Sequence, residues 1–116
     1  MKLTFNGKYD CKLTTRALVS IEDELGKNPL NELFNEDMPK LGTLVTIIYY
    51  AMKACNKSLE FNRDNVLDII DEYFEGENND IMSLSTFIYQ LYKASGLVKL
   101  PDIPEEATEE EGTEKN

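Results

Sequence analysis

The chain has 116 residues, 22 acidic against 12 basic side chains, a formal net charge of −10, 41% hydrophobic residues and no histidine. That length fits one domain. The missing histidine excludes serine–histidine and cysteine–histidine nucleophile systems and histidine metal ligation. The acid excess disfavours binding to a nucleic-acid backbone, which requires clustered Lys and Arg to displace counterions.

The chain opens on two short alternating runs around Asn6-Gly7. Both turn residues tolerate positive φ, so the pattern predicts a β-hairpin closed by a type I′ turn. Leu3 and Phe5 share one face of the first strand, and Tyr9 and Cys11 one face of the second. A lone hairpin is marginal in water and must pack on helices or pair with another chain. Thr14 or Thr15 suits a helix N-cap, Leu18, Ile21 and Leu25 give one apolar face, and Gly26 closes the helix. Asn28-Pro29 starts a short helix with Leu30, Leu33 and Phe34 as its stripe.

Pro39 opens a longer helix that runs to about Cys55. Leu41, Leu44, Val45, Ile48, Met52 and Cys55 hold one face, and Ile47, Tyr50, Ala51 and Ala54 widen it. A helix apolar on most sides belongs at the centre of its domain. Asn62 caps the next helix, residues 63–75, whose face is Val66, Ile69, Ile70 and Tyr73, extended by Leu67 and Phe74, with Gly76 at its end. Asp80 caps the last helix, with Leu84, Phe87, Ile88, Leu91 and Tyr92 inward and Ser95-Gly96 closing it. The expected fold is therefore mainly α (α+β): an N-terminal hairpin, then a bundle of four to five helices in a single domain over residues 1–100.

Residues 101–116 read PDIPEEATEEEGTEKN, with seven acids and one lysine, or −6. That leaves 15 acids and 11 bases, or −4, to the preceding body. Such a segment cannot bury enough surface to offset its ordering entropy, so it is expected to be a disordered acidic arm. Glu105, Glu106, Glu109, Glu110 and Glu111 are its densest charges. The two cysteines, Cys11 and Cys55, lack metal or redox spacing. They read as buried free thiols, and with no N-terminal signal-like run they point to a reducing cytoplasm.

Chemistry-bearing patterns are few. No GxxxxGK[ST] or GxGxxG occurs, so the common nucleotide cradles are missing and no cofactor is expected. Asp64, Asp68, Asp71 and Glu72 fall near one another on a helix and could hold Mg²⁺ or Ca²⁺ through oxygen ligands. The plainer reading is a solvated helix face. Tyr49 and Tyr89 lie off the main apolar faces and are the candidate partner-surface residues, since tyrosine is enriched at interfaces. No stretch is long enough to span a bilayer.

Residues 3–13 (LTFNGKYDCKL), 17–30 (ALVSIEDELGKNPL), 42–54 (GTLVTIIYYAMKA) and 66–73 (VLDIIDEY) together resemble the tail assembly chaperones of long-tailed bacteriophages. The resemblance covers about residues 3 to 95 and lies in apolar spacing and turns. It implies a non-enzymatic helper that coats the tape measure protein, keeps it soluble and recruits tail tube protein during tail morphogenesis. It further implies self-association, a place in the host cell cytoplasm and absence from the mature virion. The acidic C-terminal segment would suit the shorter of the two forms that such families make by ribosomal frameshifting. Other classes remain open at this stage: an acidic inhibitor that mimics DNA, or a divalent-metal protein built on the residue 64–72 carboxylates.

Overall fold

A computed structural model describes residues 2–35, 39–56 and 62–97. In chain order it contains β1 (Leu3–Phe5), β2 (Tyr9–Cys11), α1 (Thr15–Leu25), α2 (Leu30–Asn35), α3 (Leu41–Cys55), α4 (Arg63–Phe74) and α5 (Ile81–Ser95). The protein is mainly α with one two-stranded antiparallel hairpin, as the sequence predicts. The acidic segment 101–116, with its five glutamates, and the domain boundary at residue 100 lie outside the described residues.

Local chemistry fixes the element ends. Asn6 and Gly7 take φ of 53° and 71°, the paired positive values of a type I′ turn, and the Lys8 N–H donates to the Phe5 carbonyl at 3.0 Å. The ladder then pairs Phe5 with Tyr9, not with Lys8. Lys8 is left outside the register, and its ammonium reaches Glu72 of α4 at 2.7 Å. Thr14 caps α1 by accepting from the Ala17 N–H, and Gly26 ends it at φ 76°. Asn62 and Asp80 form reciprocal capping boxes with Asn65 and Ser83.

Helix α3 runs through the middle and touches α1, β2, α4 and α5. Thr43, Leu44, Val45, Thr46, Ile47 and Ile48 are all buried in succession, which takes in more than one full helical turn. Phe5 enters the same core from the hairpin, with its ring 4.9 Å from Tyr73 and 5.2 Å from Phe87. The hairpin is also pinned through its backbone. The Lys12 N–H donates to the Ala51 carbonyl at 3.0 Å, and the Asn56 amide to the Asp10 and Met52 carbonyls. The Tyr92 and Ser85 hydroxyls are buried without a hydrogen-bond partner among the described residues.

Several expected core positions shift. Leu41 and Leu67 are each 43% exposed. Leu41 is the first residue of α3, before the helix enters the core, and Leu67 lies one step off the Val66–Ile70 stripe. In α1 the buried pair is Ala17 and Ile21, with Leu18 and Leu25 half-buried at the edges. Cys11 is a buried free thiol, pushed up to about 12 by burial and then by nearby Cys55. Cys55 is only half-buried, because α3 leaves the core at its last turn.

The N-terminus of α3 has no side-chain cap of its own, since Lys40 occupies the cap position. Glu32 of α2 supplies one. Its buried carboxylate accepts from the Lys40 N–H at 2.8 Å and the Thr43 hydroxyl at 3.2 Å, and pairs with Lys27 at 3.2 Å. Desolvation pushes the Glu32 pKa up. The hydrogen bonds from Lys40, Lys27 and Thr43 and the Lys27 charge outweigh it and hold the pKa below the usual 4.5.

Two outcomes follow from this packing. Ile48→Asp places an unpaired charge at a fully buried site and abolishes the cooperative thermal transition, whereas Ile48→Val costs about 0.5–1.5 kcal/mol; an aspartate variant melting like wild type would misplace the core. Glu32→Gln lowers the melting temperature at neutral pH, since a lowered folded pKa stabilises above the ordinary carboxyl value and that contribution is lost as pH falls through the folded value. The gap between wild type and variant therefore closes on acidification below pH 4.5, and a gap that widens there contradicts the assignment.

Candidate functional site

A surface groove of about 350 Å³ opens between α1 and α3. Thr14, Arg16, Ala17 and Ser20 line it from the α1 side, and Tyr50, Lys53 and Ala54 from α3. The floor is built of small side chains. Ala17 lies one turn before Ile21 and Ala54 one turn after Tyr50, so the helix spacing leaves space where larger residues would meet. Two cations, Arg16 and Lys53, border it and are exposed. The groove also adjoins the N-terminus of α1, whose first turn contains no acidic residue to offset the helix dipole.

A polar seam closes one side of the groove. The Tyr50 hydroxyl donates to Glu24 Oε1 at 2.9 Å. The Arg63 guanidinium donates to both Glu24 carboxylate oxygens at 2.9 Å and to Thr46 Oγ1 at 3.1 Å. It also lies 4.5 Å from the centroid of the Tyr49 ring, with Lys53 at 5.5 Å. One arginine thereby joins α1, α3 and α4. Burial, then the hydrogen bond and charge of Glu24, push the Tyr50 pKa up. The groove's tyrosine is therefore a neutral hydrogen-bonding group with an apolar ring.

Of the two tyrosines singled out in the sequence, Tyr49 is half-buried beneath Arg63, edge-on to Tyr50 at 4.9 Å, just behind the groove. Tyr89 is half-buried on α5 and is not among the groove's lining residues. Along α4, Asp64, Asp68 and Asp71 are exposed and Glu72 is held by Lys8. Among the described residues no three of His, Cys, Asp or Glu come together as a metal-binding group. Arg16, Lys53, Glu24 and Arg63 carry the site and were not apparent as a set. The available signal was Lys53, the one charged residue in the α3 sequence LGTLVTIIYYAMKAC.

The geometry suits binding through side-chain anchors. Apolar surface, hydroxyls and two cations converge on a cleft large enough for a few side chains. Among the described residues no helix is long and apolar enough to cross a membrane. A double-mutant cycle of Arg63→Met and Glu24→Gln should give a coupling of about 0.5–1 kcal/mol, as expected for a half-exposed bidentate pair; zero coupling would show that the two helices are not joined through it. Comparison with protein families, with curated proteins and with solved structures found no match.

Proposed function

We propose that the protein is a non-enzymatic binding protein of the tail assembly chaperone type. It holds helical segments of a phage tape measure protein in soluble form and helps to bring tail tube subunits to them. The observation that carries this reading is the open groove between α1 and α3. A long helical client offers side chains at i, i+3, i+4 and i+7, and such anchors insert into clefts between helices. Ala17, Ala54 and the Tyr50 ring provide apolar contact, while Arg16 and Lys53 at the rim select for carboxylates that follow the anchors. The resemblance of residues 3–95 to this family supports the same reading, as does a net charge of −10, which favours solubility when apolar surface is held transiently.

Co-expression of the full chain with the tape measure protein of the same genome tests the proposal. A soluble complex should form that neither protein forms alone, and light scattering gives its stoichiometry. Ser20→Arg and Ala54→Arg, which fill the groove from its two walls, should each abolish the complex while leaving the melting temperature unchanged. A tape measure protein that stays insoluble beside an indifferent monomer would sink the reading.

A further inference from the structure

The two cysteines of the chain, distant in sequence, are neighbours of one backbone oxygen. The N–H of Lys12, which follows Cys11, donates to the Ala51 carbonyl at 3.0 Å. In the i→i−4 pattern of α3 that same carbonyl faces the N–H of Cys55. A second contact lies beside it, from the Asn56 side chain to the Asp10 carbonyl at 3.4 Å. Each cysteine therefore stands between the two contacts in its own element. Summing the covalent and hydrogen bonds through the Ala51 oxygen puts the two Cα atoms no more than about 10 Å apart, and a disulfide needs about 4.4–6.8 Å. The side chains share the same interface. Cys11 is fully buried on β2, which packs against α3. Ile48, Met52 and Cys55 stand at i, i+4 and i+7 on α3, the first two fully buried and Cys55 half-buried where the stripe runs out.

We propose that Cys11 and Cys55 are a disulfide-forming pair, and that oxidation by a small-molecule disulfide staples β2 to the last turn of α3. The half-buried Cys55 makes the first attack. Its thiolate bonds to one sulfur of the oxidant, expels the other as a thiol and leaves a mixed disulfide on Cys55. The Cys11 thiolate then attacks Cys55 Sγ and expels the second small thiol. The protein loses two protons and two electrons, and the oxidant takes up both as two thiols. Two features let the remaining gap close. Cys55 is the last residue of α3, and helix ends open at little cost. In the reduced chain Cys11 Sγ donates to the Tyr9 carbonyl at 3.7 Å, so one χ1 rotation frees it. Burial, and then the neighbouring Cys55, push the Cys11 thiol up to about 12, so its attack is slow and the pair answers sustained oxidation, not a brief pulse. The ring so closed runs from residue 11 to residue 55 and contains α1, α2 and α3, with both walls of the groove. It removes freedom from the unfolded chain and resists parting of the hairpin from α3.

The test uses the full chain alone, so its result is independent of whether a tape measure protein binds. The native protein is incubated with excess glutathione disulfide while its mass and free thiols are followed. Wild type should pass through a glutathione adduct on Cys55 to a product two hydrogen atoms lighter than the starting chain, with no glutathione attached and neither thiol free. That product should melt several degrees above the reduced chain, and dithiothreitol should reverse both changes. Cys11→Ala should stop at the adduct, and Cys55→Ser should leave the buried Cys11 unmodified; neither variant should gain thermal stability. An adduct that persists on Cys55 of wild type overturns the proposal, as does a disulfide that joins two chains or closes only in denaturant. A closed bond that lowers the melting temperature overturns it too, by showing that the native positions do not match.

Discussion

Enclosing α3 on every side is the constraint to which the other elements answer. A helix with six successive buried residues presents no solvent face along that stretch, so it needs a cover in each direction. α1, the hairpin, α4 and α5 are those covers. None of them is apolar enough to be stable alone. Each gains its stability by contributing one stripe, such as Ala17 and Ile21 or Val66, Ile69 and Ile70, to a shared core.

Enclosure creates a second demand, because a buried helix still has polar ends and, here, two buried threonines. The N-terminal end and both threonines are met by residues from other elements, and the C-terminal end by the cap residue of α3 itself. Glu32 of α2 accepts from the Lys40 amide at the N-terminal end, and Asn56 ties the C-terminal end to the hairpin backbone. Thr46 donates to the Gly42 carbonyl and accepts from Arg63, and Thr43 donates to Glu32. These contacts fix the angles at which the covers meet α3. The groove is what remains where α1 and α3 meet through alanine and serine instead of leucine.

What the sequence disclosed divides along the same line. Caps at Thr14, Asn62 and Asp80, the left-handed closures at Gly26 and Gly96, and the Asn6-Gly7 turn depend on three or four neighbouring residues, so they could be read directly. The central helix was legible because its apolar residues fill more than one face. The Glu32 cap was not, because its partners, Lys40 and Thr43, lie on another element and a glutamate in a short amphipathic helix ordinarily faces water. The Arg63 seam was hidden for a similar reason: Glu24, Tyr49 and Thr46 converge on it only after three helices have packed. Hairpin face and strand extents were readable, but the leftover Lys8 was not, since its place outside the ladder goes with a partner on α4.

The placement of Phe5 has a consequence for how the chain is made. Its ring is sandwiched by Tyr73 and Phe87, so a residue of the first described strand is completed by one in the last described helix. A nascent chain that has not yet released α5 carries an aromatic ring and one open side of α3 with nothing to cover them. Closure at such large sequence separation is slow relative to local helix formation, and it couples the two ends of the body into one cooperative step.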